Sequence, residues 1–366
     1  MSHLRVLETV PALMTNSRAS GFPCLSRKPP VPEGMTPMSD AENRPDLLQT
    51  GPMMPMIEAQ LAEHFTVHRL DAPDADSLLA QLGPRIRAVA TGVNSTSGGK
   101  TRVTGALMAK LPALEIVANF GVGYDAVDVA DAAARGVTIT NTPGVLDDEV
   151  ADLSVALLLA TLRRVPQADR FVREGKWPKG GFPLSPTLRD RTIGIVGMGR
   201  IGQAIATRLE GFGRPIAYHS RRPVPGLAYA HYPELIAMAR DVDAMIVIVP
   251  GGPATLNMIN AEVLAALGPN GVLINVARGS VVDEPALIKA LADGTIASAG
   301  LDVFADEPNV PEALRAMDNV VLLPHIASAT HVTRNAMGQL VVDNLLAWKA
   351  GKPPLTPVPE TPVPSA

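Results

Sequence analysis

The sequence predicts an α/β fold of two doubly wound, Rossmann-like parallel-sheet domains, with the first domain discontinuous around the inserted second one. The apolar run TIGIV (192–196) leads directly into the glycine-rich turn GMGRIG (197–202). Short apolar runs alternate with longer amphipathic stretches on both sides of this turn, a rhythm that is typical of parallel sheets with right-handed crossovers. Because the turn lies near the middle of 366 residues, about 150 residues remain to form a separate preceding domain.

The first domain is expected from a series of apolar runs that alternate with helical patterns. Its predicted strands are 46–49, 88–90, 114–118 and 137–140. A helix is predicted over 56–64, and a single long helical pattern runs over 148–174.

The second domain repeats the rhythm after the glycine-rich turn. Six strands are predicted, at 192–196, 215–219, 244–249, 272–276, 297–301 and 320–323, and this number matches a complete dinucleotide-binding sheet. An amphipathic helix over 330–349 is expected to return to the first domain. The predicted division is therefore 44–147 with 325–350 for the first domain and 148–324 for the second.

Both ends of the chain have a composition that differs from the domains. Residues 1–43 are rich in Pro, Ser and Met, which predicts a disordered extension or an overlong start with Met35 or Met38 as the initiator. Residues 351–366 carry repeated prolines and are predicted to form a Pro-rich tail.

Composition and charge exclude several classes of protein. A formal net charge of −4 gives no electrostatic reason to expect binding to nucleic acid or to an anionic membrane. The longest apolar stretch, 155–162, is too short to span a bilayer. Cys24 is the single cysteine, so an intrachain disulfide is impossible. We expect a cytoplasmic protein without a metal centre.

The glycine-rich turn predicts a dinucleotide site, although glycine-rich turns also occur as simple connections between a strand and a helix. In the G-x-G-x-x-G pattern, Gly197, Gly199 and Gly202 provide a tight turn, close approach to a pyrophosphate and helix packing. NAD sites carry an acidic residue about 20 residues further on, for the ribose 2′-hydroxyl. Here Ser220, Arg221 and Arg222 occupy that region. Guanidinium groups suit a 2′-phosphate, which favours NADPH over NADH, although both arginines could be solvated surface charges.

Three segments place polar side chains at the predicted carboxyl ends of strands, where ligands bind in open α/β sheets. They contribute Arg278, then Asp302 with Glu307, and finally His325. Each has an ordinary structural explanation when it is taken alone. Together they supply what reduction of a 2-keto acid needs: a cation for the carboxylate, an imidazolium that protonates the ketone oxygen, and a carboxylate that keeps the imidazole charged and oriented.

With these residues in these positions, the sequence resembles the D-isomer-specific 2-hydroxyacid dehydrogenases, and in particular the NADPH-dependent glyoxylate/hydroxypyruvate reductase branch. The resemblance covers residues from about 45 to 350. It is carried by an ordered set of segments: NFGVGYDAVD (119–128), NTPGVLDDEVAD (141–152), GIVGMGRIG (194–202), NVARGSVVD (275–283), AGLDVF (299–304) with EP (307–308), and PH (324–325) with SATH (328–331).

The resemblance implies a role for each matched residue. Arg278 is expected to bind the substrate carboxylate and carbonyl, His325 to act as general acid–base, and Glu307 to pair with His325. Substrate-binding backbone amides are expected at Val122 and Gly123. The expected contacts of the cofactor are Gly197, Gly199, Arg200, Ile201, Gly202, Ser220, Arg221, Arg222, Pro250, Thr255, Val276, Ala277, Asp302 and Ala327.

The resemblance also implies an assembly and a reaction. The long helix that starts near Asp148 is similar to the dimerisation element of the family, which implies a homodimer. The implied reaction converts glyoxylate to glycolate and hydroxypyruvate to D-glycerate. Two alternatives stay open: a reductase for a bulkier 2-keto acid such as hydroxyphenylpyruvate, with the loop 91–100 setting the pocket size, or a nucleotide-sensing corepressor. Ala327 departs from the family, where glycine is commoner.

Overall fold

The computed structural model describes residues 44–70, 75–93 and 102–363, and these residues form the two parallel sheets that the sequence predicts. The predicted extension at 1–43, most of the loop 91–100 and the last three residues lie outside the described residues. The fold class is confirmed. The exact domain boundaries remain a prediction.

The first sheet has five parallel strands in the order β2-β1-β3-β4-β5. The strands are β1 (Asp46–Gln49), β2 (Thr66–Arg69), β3 (Ile86–Ala90), β4 (Ile116–Ala118) and β5 (Thr138–Thr140). Its helices are α1 (Pro55–His64), α2 (Ala75–Leu82), α3 (Gly105–Ala109) and α4 (Val129–Ala134). Side chains of Thr104 and Asp128 cap α3 and α4 by accepting hydrogen bonds from backbone N–H groups of the first turn.

The second sheet follows two helices, α5 (Asp147–Arg163) and α6 (Val165–Arg173). Its strands are β6 (Ile193–Val196), β7 (Ile216–His219), β8 (Ala230–Tyr232), β9 (Ala244–Val247), β10 (Val272–Asn275), β11 (Ser298–Leu301) and β12 (Val320–Leu322). Its helices are α7 (Arg200–Glu210), α8 (Leu235–Asp241), α9 (Ala261–Leu267), α10 (Glu284–Ala292) and α11 (Glu312–Ala316). The strand order is β12-β11-β10-β9-β6-β7-β8, all parallel, so the order reverses between β6 and β9. Ligands bind in open α/β sheets at the carboxyl side of such a switch point.

Two strands were missing from the sequence prediction, β2 and β8, and both lie at an edge of a sheet. Their residues are half-buried or exposed, whereas β4, β6, β9 and β10 are buried throughout. A central parallel strand is covered on both faces and therefore forms a continuous apolar run. The edge strands β2 and β8 carry no such run, so the prediction of six strands for the second domain was one short.

The predicted single helix over 148–174 was wrong, because the structure divides it into α5 and α6. Arg164 adopts a left-handed backbone conformation, with φ 53° and ψ 43°, and ends α5. Pro166 explains the break, since its ring lacks an N–H and would clash with the carbonyl of Leu162 in a continuous helix.

The last helix, α12 (His331–Lys349), packs on the first sheet. Thr330 caps it by accepting a hydrogen bond from the N–H of Thr333. The buried side chains of Val341 and Leu345 belong to the same apolar cluster as Leu47 of β1. The last helix therefore covers the first sheet, and the assignment of 325–350 to the first domain stays a prediction.

The segment after α12 was predicted to be a tail, but its described part is packed against β5. Pro357 pairs with Thr140, and Val358 is 1% exposed. The N–H of Val358 donates to Ile139 O at 2.9 Å, and the N–H of Ile139 donates to the hydroxyl of Thr361 at 3.0 Å. Prolines are tolerated here because the segment pairs only at the edge of the sheet.

Within the described ranges, no helix combines the length and the apolar character that a membrane span requires.

Candidate active site

The glycine-rich turn joins β6 to α7 at the switch point of the second sheet. Gly197 has φ +102°, and a Cβ at this position would lie 2.8 Å from Ile248 O. A Cβ on Gly202 would overlap Gly197 O, so α7 can approach the turn only with glycine here. A Cβ on Gly199 would meet no heavy atom within 4 Å among the described residues. The turn therefore leaves open space in front of the helix N-terminus, which fits a pyrophosphate.

The first residues of α7 differ in their surroundings. Arg200 is exposed and lies 3.4 Å from Asp147, measured from Nε to Oδ2. Burial raises the pKa of Asp147, and the Arg200 guanidinium opposes that shift. Ile201 is half-buried and packs against the apolar clusters of both sheets. The turn is thus held between the two domains.

The end of β7 carries the residues that were predicted to select the cofactor. The Ser220 hydroxyl donates to Arg222 O at 2.6 Å, which closes the loop on itself. Arg221 and Arg222 are both exposed. Neither guanidinium has a hydrogen-bond or ion-pair partner in the part of the chain that the structure describes. Both are therefore available to an anion.

Two further loops line the same edge of the sheet after β9 and β10. The Thr255 hydroxyl donates to Pro250 O at 2.7 Å, so these two predicted cofactor contacts lie in one closed loop. Val276 and Ala277 are 5% and 3% exposed, and the N–H of Ala277 donates to Asn275 Oδ1 at 3.1 Å. Their backbone conformation is therefore set by the buried amide of Asn275.

The imidazole of His325 and the carboxylate of Glu307 are hydrogen-bonded, with Nδ1 and Oε2 2.7 Å apart. The other carboxylate oxygen of Glu307 accepts a hydrogen bond from the N–H of Phe304 at 3.1 Å, which orients the carboxylate. Because Glu307 accepts at Nδ1, that nitrogen carries the proton, and Nε2 has no hydrogen-bond partner among the described residues. His325 has a left-handed φ of 55°, a conformation that is uncommon for residues other than glycine.

Asp302 holds the backbone on which His325 lies. The N–H groups of Ile326 and Ala327 donate to its two carboxylate oxygens at 2.7 and 2.9 Å, and the N–H of His325 donates to its carbonyl at 2.9 Å. Burial raises the pKa of Asp302, and the two backbone donors oppose that shift. Ala327 is 8% exposed, so its methyl group is accommodated inside the first domain.

Arg278 reaches across to the loop that follows β4. Its Nε donates to Asp125 Oδ1 at 3.0 Å, and its Nη1 donates to Ala277 O at 2.7 Å. Its Nη2 lies against Gly123, where an added Cβ would overlap it. The predicted carboxylate-binding residues of the two domains are therefore adjacent.

The loop that carries Val122 and Gly123 is held by two side-chain amides, one from buried Asn119 and one from half-buried Asn141. Asn119 Nδ2 donates to Gly121 O and Gly123 O at 3.1 and 3.0 Å, and Asn141 Nδ2 donates to Val122 O at 2.8 Å. The N–H groups of Val122 and Gly123 have no acceptor in the described part of the chain. The carbonyls are satisfied and the N–H donors are free, which suits the binding of an anion.

Two charged residues of this region were missed by the sequence analysis, Asp125 and Arg334. Arg334, on α12, lies over the ring of Phe120 with 5.6 Å from Cζ to the centroid, and burial lowers its pKa while the Asp302 carboxylate opposes that shift. Asp125 stands in the segment NFGVGYDAVD but has no partner within it. Only the folded chain brings either residue to the site.

No group of three or more His, Cys, Asp or Glu side chains that could hold a metal ion occurs in ranges 44–70, 75–93 and 102–363.

Comparison with known proteins identifies relatives along nearly the whole of the described chain. The family model for the NAD binding domain of D-isomer specific 2-hydroxyacid dehydrogenases matches residues 155–327. A hydroxyphenylpyruvate reductase from Plectranthus scutellarioides is 46% identical over 85% of this chain and 98% of its own length. A glyoxylate/hydroxypyruvate reductase A from Arabidopsis thaliana is 45% identical, with the same shares covered.

Solved structures give the same result. The crystal structure of an NADPH-dependent glyoxylate/hydroxypyruvate reductase from Sinorhizobium meliloti, in complex with NADP and malonate, is 54% identical. It superimposes with a TM-score of 0.82 and covers 88% of this chain and 99% of its own. These relatives confirm the resemblance that the sequence motifs indicated, together with a nicotinamide nucleotide as cofactor. The chain belongs to the D-isomer-specific 2-hydroxyacid dehydrogenase family.

Proposed function

We propose that this enzyme uses NADPH to reduce small 2-keto acids, glyoxylate to glycolate and hydroxypyruvate to D-glycerate. The observation that carries the proposal is the hydrogen bond between His325 and Glu307, at the edge of the sheet that also bears Arg278 and the glycine-rich turn. Parallel strands β10, β11 and β12 are neighbours, and Arg278, Asp302 and His325 follow their carboxyl ends. A cation, a buried acid and an imidazole therefore meet where substrates of this fold bind.

His325 is the proposed proton donor to the ketone oxygen. A reduced nicotinamide, when it is bound, supplies the hydride for the keto carbon. Glu307 fixes the proton of His325 on Nδ1 and stabilises the imidazolium, so Nε2–H is left to donate. The proton then moves from Nε2 to the oxygen, and His325 is neutral until it takes another proton from solvent.

The substrate carboxylate is proposed to lie between the two domains. Arg278 offers Nη2 beside Gly123, and the N–H groups of Val122 and Gly123 are free to donate. A carboxylate accepts several such hydrogen bonds, and a guanidinium matches its planar shape. Arg278 thus fixes the substrate while His325 protonates it.

NADPH is favoured over NADH because Arg221 and Arg222 follow β7 without a carboxylate among them. Their side chains are exposed and have no partner in the ranges that the structure describes, so a 2′-phosphate can accept hydrogen bonds from both guanidinium groups. A ribose 2′-hydroxyl would leave these two charges without a counter-charge.

A homodimer is proposed from apolar side chains exposed on α6 and in the segment after it. Val172 of α6, Trp177 and Leu184 are 53%, 65% and 99% exposed, and no residue of α6 is buried. Helix α5 packs instead against α7 and the second sheet of its own chain. A large exposed apolar patch is typical of an interface, and these side chains are proposed to form one. The cytoplasmic location stays a prediction.

A second candidate substrate, 4-hydroxyphenylpyruvate, is favoured by one observation: the relative from Plectranthus scutellarioides is named a hydroxyphenylpyruvate reductase. The two candidates differ in the size of the group on the keto carbon. The loop 91–100, which we expect to set the pocket size, lies mostly outside the described residues.

Steady-state consumption of NADPH with a panel of 2-keto acids tests the proposal. We expect the highest kcat/KM for glyoxylate or hydroxypyruvate, lower values for 4-hydroxyphenylpyruvate and branched-chain keto acids, and a lower kcat/KM with NADH as the donor. Preference for 4-hydroxyphenylpyruvate would move the assignment to the second candidate. Tight NADPH binding without turnover of any keto acid would contradict an enzymatic role and favour a nucleotide-sensing one.

A further inference from the structure

The proposed chemistry assigns no role to Asp125, although its side chain lies within the site. It follows β4 in the first domain, yet its carboxylate accepts from Nε of Arg278 in the second domain at 3.0 Å. The two side chains are 26% and 19% exposed. A Cβ on Gly251, which follows β9, would lie 3.3 Å from Asp125 Cγ. The carboxylate is therefore enclosed by the second domain on two sides.

The backbone of Asp125 is held as well as its side chain. Arg102 Nη2 donates to Asp125 O at 2.9 Å. The neighbouring Tyr124 donates its hydroxyl to Glu360 at 3.1 Å, so the segment after α12 supports the same loop. Burial raises the pKa of Tyr124, and the hydrogen bond to Glu360 adds to that shift. The hydrogen bonds from Arg102 and Tyr124 therefore fix the loop that carries Asp125.

The donors of Arg278 can be accounted for one by one. A guanidinium has five N–H groups. Asp125 takes the one on Nε, and Ala277 O takes one on Nη1. Among the described residues the second N–H of Nη1 and both N–H groups of Nη2 have no acceptor, and Nη2 lies beside Gly123, whose N–H is also free. Rotation about the last bonds of the arginine side chain would separate these donors, and the contact at Nε opposes that rotation.

We propose that Asp125 is a positioning residue, whose carboxylate holds the Nε edge of Arg278 so that Nη2 stays beside the amides of Val122 and Gly123. The free donors of both domains then converge on one anion. The inference rests on the proposed function in one respect, namely that this anion is the carboxylate of a 2-keto acid. The placement of Arg278 by Asp125 can be tested without any substrate.

Three variants separate a positioning role from a general structural one. Asp125→Ala removes the acceptor, whereas Asp125→Asn keeps an oxygen that can accept from Nε. Asp293→Asn is the matched control, because Asp293 pairs with Lys289 at the exposed C-terminal end of α10. Thermal unfolding of each variant shows whether it is folded.

The first measurement is the binding of oxamate, a 2-keto acid analogue that cannot be reduced, to protein saturated with NADPH. We expect Asp125→Ala to weaken oxamate binding by about tenfold or more, the range of one lost hydrogen bond to a charged group. The KM for glyoxylate should rise by more than kcat falls, and the dissociation constant of NADPH should stay unchanged. Asp125→Asn should recover at least half of the loss on a logarithmic scale, and Asp293→Asn should match the wild type.

The second measurement is the rate at which phenylglyoxal modifies Arg278, followed by mass spectrometry of the free protein. Asp125→Ala should raise this rate, and Asp125→Asn should return it towards the wild-type value. If the wild type neither binds oxamate nor reduces keto acids, the proposed function fails, and the labelling rates alone decide on Asp125.

Three results would overturn the inference. Oxamate binding to Asp125→Ala that equals or exceeds wild-type binding would mean that Asp125 competes with the anion. If Asp125→Asn binds oxamate no more tightly than Asp125→Ala does, the hydrogen bond to Nε does not determine the position of Arg278. Equal labelling of Arg278 in all variants would mean that Asp125 does not hold it.

Discussion

Removal of the two arginines after β7 should change the choice between NADPH and NADH. The perturbation is the double substitution Arg221→Ala with Arg222→Ala. Both side chains are exposed and make no hydrogen bond or ion pair in the described chain, so their removal breaks no contact within the protein. Any effect on affinity must therefore arise from the bound nucleotide.

The magnitude follows from the number and exposure of the lost contacts. A hydrogen bond to a charged group contributes about 1.5–3 kcal/mol. Because both arginines are exposed, solvent screening reduces each contact, and we take about 1.5–3 kcal/mol for the pair together. Each 1.4 kcal/mol is about tenfold in a dissociation constant, so NADPH should bind about 10- to 100-fold more weakly to the double variant. NADH lacks the 2′-phosphate and should change by no more than about threefold.

Fluorescence titration with NADPH and with NADH measures both dissociation constants without any turnover. Arg315→Ala is the control, because Arg315 is an exposed arginine on α11, beside the opposite edge of the sheet. Raising the salt concentration should weaken NADPH binding to the wild type more than to the double variant. Equal losses for NADPH and NADH would refute the assignment of these arginines to the 2′-phosphate.

Three further outcomes follow from the structure. Glu307→Gln removes the negative charge from a 2.7 Å contact with His325. The kcat/KM for glyoxylate should then fall by about 10- to 100-fold, while the affinity for NADPH stays unchanged. A fall in kcat/KM of less than about threefold would contradict the role of Glu307. Ending the chain after residue 351 removes the buried side chain of Val358. The free energy of unfolding, measured by thermal and denaturant unfolding, should then fall by about 1.5–3 kcal/mol. An unchanged free energy of unfolding would mean that the segment is only a tail. Burial, with the hydrogen bond to Glu210, raises the pKa of Tyr229 from 10.0 to about 12, so the neutral phenol should stabilise the fold below pH 10.0 and lose that contribution as the pH rises to about 12. Alkaline absorbance titration should show a component near pH 12 that is missing in Tyr229→Phe.

The sequence predicted the fold wherever a strand or helix is buried on a regular pattern. Strand β6 and the glycine-rich turn are recognisable because central strands of a parallel sheet are apolar throughout and the turn requires glycine. Edge strands β2 and β8 lack this signal, since one side of each meets solvent. The break at Arg164 follows from Pro166, a local signal that a continuous amphipathic pattern concealed.

The site was predictable where its residues lie at strand ends, and not where it depends on contacts between domains. Arg278, Glu307 and His325 follow predicted strands, so the sequence already grouped them into one candidate site. Asp125 lies 153 positions before Arg278 in the chain, and no local pattern connects the two. The packing of residues 352–363 was hidden for a similar reason, because prolines predict a tail unless a sheet edge is available to pair with them.

The central claim is that His325 protonates the ketone of a 2-keto acid. Its most direct test is the single-turnover rate of NADPH oxidation by glyoxylate in the wild type and in His325→Ala, with the NADPH dissociation constant measured on the same samples. General acid catalysis contributes about 10²- to 10⁴-fold, so the rate should fall by at least about 100-fold while NADPH affinity stays the same. A His325→Ala enzyme that turns over at a rate near that of the wild type would contradict the claim.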